Sequence, residues 1–277
     1  MADEGKVVLI TGASSGIGKA CADALAQRGY VVFAAARSLP EEHPGDDRAF
    51  EGRWQGVRMD VNEETSVTEG VSRVVLQAGR LDAAVNCAGF GIGGSIEDTS
   101  IDEAKAIFET NVFGTLRVCR AVLPIMREQR SGRIVNVSSL AGRIGLPFQG
   151  LYSATKFAIE GLTEALRMEV KAFGIHVSLI EPGDFCTGFT ANRRVVDDPA
   201  DGYRVRLQRA LEAMERDETG GASSDRVARL LHRILRMPSP RLRYTVGPLS
   251  QRLSAVGKPL LPPSFFEREV MKHYDVL

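Results

Sequence analysis

The chain has 277 residues, and its 35 Lys and Arg residues equal its 35 Asp and Glu residues in number. Because no net charge attracts a polyanion, this composition disfavours binding to nucleic acid or to an anionic membrane surface. The four cysteines lie far apart without a CxxC pair, which argues against a disulfide framework and a zinc cluster and favours a reducing compartment. The N-terminal apolar run is too short for a signal peptide, and no run approaches the length of a membrane span. We therefore expect a cytoplasmic protein with no transmembrane segment and no metal site.

Short apolar runs rich in β-branched residues alternate with helical patterns. The apolar runs are VVLI (7–10), YVVFAA (30–35), LDAAV (81–85), RIVNV (133–137) and IHVSLI (175–180). The helical patterns lie near 16–28, 63–79, 101–129 and 151–173. This alternation predicts an α/β fold in a single domain: a doubly wound, Rossmann-type parallel sheet of about seven strands with helices on both faces.

The amino-acid composition of the chain changes after Gly183. The segment 184–222 is polar and rich in arginine, yet its apolar residues recur at helical spacing. They are Tyr203, Leu207, Ala210, Leu211 and Met214. This pattern predicts an amphipathic helix, which is either a mobile flap over a substrate or a surface helix packed passively on the core. A strand candidate, RYTVG (243–247), and a C-terminal extension at 248–277 follow.

A glycine-rich turn separates the first predicted strand from the first helix. Gly12, Gly16 and Gly18 follow a GxxxGxG spacing, which differs from the GxGxxG of many dinucleotide-binding folds. Glycines allow a tight turn and close backbone approach, and the helix N-terminus presents unpaired N–H groups to a pyrophosphate. We expect the whole turn to contact a dinucleotide, including Ser14, Ser15 and Ile17.

The second predicted strand ends in FAAARS, with Ala36 and Arg37 near the position where an acidic residue usually binds the ribose 2′-hydroxyl. A guanidinium can hold a 2′-phosphate that a carboxylate would repel. Arg37 therefore predicts NADP(H) as the cofactor, although a solvated surface arginine is the simpler alternative.

Several segments together resemble the classical short-chain dehydrogenase/reductases. The motifs that carry the resemblance, in the family's order and spacing, are TGASSGIG (11–18), DV (60–61), NCAG (86–89), Asn111 in TNVFG, NVSS (136–139), YSATK (152–156) and EPGDFCT (181–187). The match covers roughly residues 5–190. The chain is also similar to the hydroxysteroid and retinol dehydrogenase branch in its RY-containing strand and long C-terminal tail.

The resemblance implies further cofactor contacts. Asp60 and Val61 are expected at the adenine, whereas the residues expected beside the nicotinamide ribose are Asn86, Ala88 and Gly89. Cys87 stands where the family often has a second asparagine, so no side-chain role is expected there.

The last motif implies a third group of cofactor contacts, formed by Pro182, Gly183 and Thr187. The threonine matches the residue that typically bonds the nicotinamide carboxamide.

Tyr152 and Lys156 are four residues apart, which places both side chains on one face of a helix. A free phenol with a pKa near ~10 is a poor base at neutral pH, but a nearby ammonium can lower that pKa by roughly 1–3 units. Tyr152 is therefore the expected general acid in carbonyl reduction and general base in alcohol oxidation. By the resemblance, Lys156 also holds the ribose hydroxyls.

Two serines end the fifth predicted strand, and only one can face a substrate because side chains alternate along an extended chain. The family's catalytic serine usually lies 13 residues before the tyrosine, which selects Ser139 over Ser138. Its hydroxyl is expected to position the substrate oxygen. By the same resemblance, Asn111 completes a catalytic tetrad by anchoring a water that passes protons from Lys156.

The sequence defines the substrate less closely than it defines the cofactor and the catalytic residues. Candidate pocket residues are Leu146, Phe148, Phe185 and Phe189, which form an apolar cavity or simply fill the core. A pocket of this kind favours a small lipophilic carbonyl or alcohol.

Three alternatives to a lipophilic carbonyl reductase stay open. An acyl-carrier or polyketide 3-oxoacyl ketoreductase would use the arginines of the polar segment to meet an acidic carrier; these are Arg193, Arg194, Arg204, Arg206 and Arg209. Alcohol oxidation by the same site is the second alternative, and a non-catalytic NADP(H)-binding regulatory protein is the third.

The resemblance also implies a homodimer or homotetramer that assembles through the helices near 101–129 and 151–173, where Ala158 and Gly161 allow close packing.

Overall fold

Seven parallel strands form the central sheet in the computed structural model, which describes residues 5–39, 54–187 and 192–277. The strands are β1 Val7–Thr11, β2 Val31–Ala36, β3 Gln55–Arg58, β4 Ala83–Asn86, β5 Gly132–Val137, β6 Ile175–Pro182 and β7 Arg243–Val246. Their order is β7-β6-β5-β4-β1-β2-β3, and every neighbouring pair is parallel. The predicted doubly wound fold is confirmed. The strand order reverses between β1 and β4, where open parallel sheets place a ligand crevice at their carboxyl edge.

Helices cover both faces of the sheet. Their bounds are α1 Gly16–Ala26, α2 Glu64–Ala78, α3 Ile101–Phe108, α4 Gly114–Glu128, α5 Gly150–Glu169, α6 Asp201–Thr219, α7 Asp225–Arg236, α8 Leu249–Gly257 and α9 Pro263–His273. One apolar core lies between the sheet and helices α2, α4 and α5, and a second lies between the sheet and helices α1 and α7. The strands are therefore buried on both faces, which explains their nearly continuous apolar sequence.

The structure differs from the sequence prediction in two elements. The long helix predicted over 101–129 is interrupted by a π-helical turn at Glu109–Phe113, and Asn111 lies within this turn. The edge strand β3 was not predicted, because it is four residues long and contains a glycine and two polar residues.

The polar segment after β6 forms helix α6, whose predicted apolar face is confirmed. Leu207, Ala210 and Met214 are buried, and this face packs against Tyr274 and Val276 near the C-terminus. Two short parallel strand pairs hold this segment. Phe185–Cys186 at its start pairs with Ala222–Ser223 at its end, and Arg194–Val195 pairs with Ile92–Gly93, which follows β4. Its predicted movement as a flap stays a prediction.

Among the helices of the described residues, none is both long enough and apolar enough to cross a bilayer.

Candidate active site

The turn between β1 and α1 requires glycine at three positions, either because of the backbone angle or because of close backbone contacts. Gly12 and Gly16 have φ angles of 66° and 55°, in the left-handed region that favours glycine. A Cβ atom on Gly18 would lie 2.3 Å from the carbonyl oxygen of Gly12, and one on Gly12 would lie 2.7 Å from the backbone nitrogen of Ala88. The side chain of Ser15 makes no capping hydrogen bond to α1. The helix N-terminus therefore keeps N–H groups available for an anion, as a pyrophosphate site requires.

A cavity of about 810 Å³ opens at the carboxyl edge of the sheet and gathers almost all of the predicted site. The predicted cofactor residues that line it are Gly12, Ser14, Ser15, Gly16, Ile17, Gly18, Arg37, Asp60, Val61, Ala88, Gly89, Tyr152, Lys156, Pro182, Gly183 and Thr187. These residues come from the ends of β1, β2, β4 and β6, from the turn before α2 and from α5. The glycine cradle, the free helix N-terminus and the size of the cavity fit a nicotinamide dinucleotide.

Asn86 differs from the other predicted cofactor residues, because its side chain points into the protein. It is 4% exposed, and its Nδ2 atom donates a 2.8 Å hydrogen bond to Oδ1 of Asn136, the residue opposite it on β5. Asn136 in turn donates to Oγ1 of Thr163 on α5. Asn86 does not line the cavity, so its side chain holds β4, β5 and α5 together beneath the site.

Arg37 lies directly after β2 and is exposed on the rim of the cavity. The neighbouring rim residues after β2 are Ala36 and Ser38, neither of which is acidic. An exposed guanidinium at this place can turn toward a ribose phosphate without first breaking a buried ion pair.

Tyr152, Lys156 and Ser139 meet at the centre of the cavity. The Nζ atom of Lys156 lies 5.6 Å from the centre of the Tyr152 ring and donates a 3.0 Å hydrogen bond to the carbonyl of Val137 at the end of β5. Ser139 follows β5, and its hydroxyl accepts from the backbone N–H of Ala141 at 3.1 Å and hydrogen-bonds the phenol. The hydroxyl of Ser138 instead lies on the side of Gly142, 2.7 Å from where a Cβ atom of that glycine would be.

Burial, rather than the charge of Lys156, has the largest effect on the pKa of Tyr152. Desolvation raises the pKa of Tyr152 to about 12, although the hydrogen bond between Tyr152 and Ser139 acts to lower it. Burial likewise lowers the pKa of Lys156 to about 8, although the charges of Cys87 and Glu160 act to raise it. The lowered phenol pKa expected from the sequence is not seen in the protein alone, because the low-dielectric site disfavours both charged forms.

The side chain of Asn111 acts as a clamp in the π-helical turn. Its Oδ1 atom accepts a 3.0 Å hydrogen bond from the backbone N–H of Phe90, and its Nδ2 atom donates to the carbonyl of Phe90 at 3.0 Å and to Oγ1 of Thr155 at 3.1 Å. Asn111 thereby joins the loop after β4 to helix α5, one residue from Lys156. The predicted water relay stays a prediction, whereas the clamp is a positioning function that the sequence did not indicate.

The substrate end of the cavity is partly apolar. Phe185 lines it while also packing against the core beside α7, and Leu146 lines it too. Phe148 lies outside the cavity wall, where its ring meets that of Tyr203 at a centroid distance of 6.3 Å. Phe189 lies outside the described residues.

Four polar residues that the sequence did not predict also line the substrate end: Asp184, Asp217, Glu218 and Tyr274. They come from three separate segments of the chain, and Asp184 alone lay within a recognised motif. Since no local pattern joins them, only the packing of α6 against the C-terminal tail and the segment that follows β6 brings them together.

The chain is similar to known proteins over most of its length. A family model described as short chain dehydrogenase matches residues 6–197. The chain is 38% identical over 273 residues to the 3-ketodihydrosphingosine reductase of Bacteroides thetaiotaomicron, covering 98% of each protein. It is 36% identical over 256 residues to the 17-beta-hydroxysteroid dehydrogenase type 1 of Mus musculus, covering 86% of this chain and 72% of the relative.

A solved structure of a short chain dehydrogenase/reductase from Burkholderia phymatum in complex with NAD has a similar fold. It superposes with a TM-score of 0.79 at 26% sequence identity, over 97% of this chain and 96% of the other.

Proposed function

Since this chain belongs to the short-chain dehydrogenase/reductase family, we propose that it is an NADPH-dependent oxidoreductase that interconverts a lipophilic ketone or aldehyde and the corresponding alcohol. The observation that carries this proposal is the meeting of Ser139, Tyr152 and Lys156 in the cavity that the glycine turn also lines. A proton donor, an oxygen-positioning hydroxyl and a dinucleotide cradle therefore share one space.

In the proposed reaction, the bound nicotinamide supplies or accepts the hydride. Tyr152 delivers a proton to the developing alkoxide in the reductive direction, and Ser139 donates a hydrogen bond to the same oxygen. With a pKa of about 12, Tyr152 is protonated at neutral pH and so holds the proton that reduction requires. Lys156, with a pKa of about 8, is mostly charged at that pH and compensates the phenolate that forms.

The preference for NADPH over NADH rests on Arg37. Its guanidinium is exposed on the rim of the cavity, next to the place where the adenosine ribose is expected. Its neighbours on the rim within the described residues, Ala36 and Ser38, are not acidic, so a 2′-phosphate would meet a positive charge there.

A lipophilic substrate is favoured by the apolar part of the wall, formed by Phe90, Leu146, Phe185 and Met214. The similarity to a 3-ketodihydrosphingosine reductase and to a hydroxysteroid dehydrogenase supports the same class, because both names refer to lipophilic compounds. We therefore place 3-ketodihydrosphingosine first among the compounds to be tested.

The acyl-carrier ketoreductase is the weaker alternative, because its candidate docking arginines are largely engaged within the protein. Arg193 pairs with Glu218, and Arg206 donates to the carbonyl of Val276. Arg204 pairs with Asp198 at 3.1 Å. Arginines that bond groups of their own chain attract an acidic carrier less strongly.

Consumption of NADPH by the purified protein tests the proposal. The panel contains 3-ketodihydrosphingosine, steroids, retinoids, quinones, acyl thioesters and simple ketones. Each compound is measured a second time with NADH in place of NADPH. We expect turnover with one of the lipophilic carbonyl compounds and a higher kcat/KM with NADPH. Turnover confined to acyl thioesters supports the ketoreductase instead, and binding of NADPH without turnover of any compound supports a regulatory protein.

A further inference from the structure

Three carboxylates line the substrate end of the cavity, and we refer to Asp184, Asp217 and Glu218 as the acidic wall. Asp184 lies two residues after the end of β6, and the other two lie in the last turn of α6. An acidic surface is unexpected in a cavity for a neutral lipophilic ketone, because a buried carboxylate is costly unless a partner compensates its charge.

The partners within the protein compensate only part of this charge. Glu218 is paired with Arg193, and Oδ2 of Asp217 lies 2.7 Å from Nε2 of His273. Asp184 has a neutral partner, since its Oδ2 atom accepts a 2.5 Å hydrogen bond from Nε2 of Gln251. Counted with these partners, the acidic wall keeps a negative excess of one charge when His273 is protonated, and of two when it is neutral. Arg194 lines the same cavity, but its guanidinium lies over the ring of Phe90, 4.5 Å from the ring centre.

Tyr274 provides an independent indication of a ligand. It is 9% exposed and lines the cavity, and within the described residues its hydroxyl has no hydrogen-bond partner. Burial raises its pKa, and the negative charges of the three carboxylates raise it further, although Arg193 acts to lower it. Because Tyr274 lines the cavity and its hydroxyl is not engaged within the described protein, this hydroxyl is available to accept a hydrogen bond from a bound group.

The acidic wall lies close to the reacting centre. The charges of Glu218 and Asp184 both act to raise the pKa of the Tyr152 phenol. In addition, Asp184 follows Gly183 and Pro182, and the carbonyl of Pro182 accepts a hydrogen bond of 3.4 Å from the hydroxyl of Ser139. A substrate whose carbonyl oxygen lies between Ser139 and Tyr152 therefore presents the atoms beside that carbonyl to the acidic wall.

From this arrangement we propose that the acidic wall and Tyr274 bind a cationic amino group of the substrate, so that the substrate class is a lipophilic ketone with an amino group next to its carbonyl. This inference rests on the proposed carbonyl reduction and adds the recognition of the amine. An ammonium group supplies the positive charge that the wall lacks and donates three hydrogen bonds, which Asp184 and Tyr274 can accept. Both are specificity-determining residues that act on binding rather than on proton transfer.

The test compares two long-chain ketones that differ in one group. The first is 3-ketodihydrosphingosine, which carries an amino group on the carbon beside the carbonyl, and the second is the same ketone with hydrogen in place of that amino group. The ratio of their kcat/KM values is measured for the unmodified protein and for Asp184→Asn and Tyr274→Phe. Asp198→Asn is the matched control, because it removes an exposed carboxylate that pairs with Arg204 outside the cavity.

We expect the unmodified protein and the control to prefer the amino ketone by about tenfold or more, the effect of a hydrogen-bonded charge. Asp184→Asn and Tyr274→Phe should reduce this ratio severalfold. A purely structural role of the acidic wall would lower both kcat/KM values by the same factor and leave the ratio unchanged, which overturns the inference. A ratio near one in the unmodified protein overturns it as well.

A binding measurement separates this inference from the proposed function. Calorimetry with the NADP⁺-loaded protein compares dihydrosphingosine, the amino alcohol, with the corresponding diol that lacks nitrogen. Tighter binding of the amino alcohol that is lost in Asp184→Asn supports the acidic wall even when neither ketone is reduced. Equal binding of the two compounds contradicts it.

Discussion

The Nζ atom of Lys156 lies 5.6 Å from the centre of the Tyr152 ring, and both side chains are buried at the bottom of the same cavity. Burial acts on the two groups in opposite directions, raising the pKa of the phenol to about 12 and lowering that of the ammonium to about 8. At neutral pH the pair is therefore a neutral acid beside a mostly protonated cation, the protonation state that a carbonyl reductase requires before proton transfer.

The first prediction concerns the pH dependence of reduction. Since the pKa of Lys156 is lowered to about 8, its charge is present below that pH and is lost above it, whereas Tyr152 stays protonated up to about 12. The kcat/KM for ketone reduction should therefore be constant near neutral pH and fall as the pH rises through about 8. Steady-state rates between pH 6 and 10 measure this decline.

The control for the pH profile is Lys156→Arg, because an arginine keeps its charge throughout that range. In this variant the decline near pH 8 should disappear, even if the absolute rate is low. A profile of the unmodified protein that stays flat to pH 10 is incompatible with the role given to Lys156.

The second prediction concerns cofactor preference. Arg37→Asp places a carboxylate where a 2′-phosphate is expected, so the KM for NADPH should rise at least about tenfold while that for NADH changes little. Arg58→Asp is the matched control, because Arg58 is also exposed, lies opposite Ala36 at the end of β3, and does not line the cavity. Equal effects of the two substitutions would show that Arg37 acts only through the general charge of this edge.

The third prediction concerns the glycine turn. In Gly18→Ala, the added Cβ atom meets the carbonyl oxygen of Gly12 at 2.3 Å, and its nearest neighbours are all backbone atoms of Gly12 and Ala13, which cannot move away as a flexible side chain would. We expect a loss of stability of about 1–3 kcal/mol and much weaker NADPH binding, measured by thermal unfolding and by cofactor fluorescence.

Gly202→Ala is the control for this substitution. Gly202 is an exposed residue of α6, and a Cβ atom there meets nothing within 4 Å, so alanine should not lower the stability and should leave NADPH binding unchanged. If Gly18→Ala binds NADPH as tightly as the unmodified protein, the turn is not the pyrophosphate site.

The sequence predicted the sheet and the position of the site because both depend on local patterns. The apolar runs of β1 and β6 and the glycine turn each carry their own signal, and parallel strands bring their carboxyl ends to one edge without further information. Lys156 and Tyr152 were predictable as a pair for the same reason, since helical spacing alone places them on one face.

The features that the sequence missed depend on contacts between distant segments. Asn86 ends β4 as predicted, but the pairing with Asn136 on β5 turns its side chain away from the cavity. The raised pKa of Tyr152 results from the depth of the finished cavity, which no stretch of sequence displays. Asp184 and Tyr274 are 90 residues apart in the chain and are joined only by tertiary packing.

The most direct test of the proposed function is the Tyr152→Phe substitution, which keeps the aromatic ring in its packing and removes only the hydroxyl. With NADPH and the best carbonyl substrate of the panel, we expect kcat/KM to fall by at least about a hundredfold, as for the loss of a general acid. The Kd for NADPH should be unchanged, which shows that the site remains folded. Near-normal turnover by this variant, with NADPH bound as before, would contradict the assignment of Tyr152 as the proton donor.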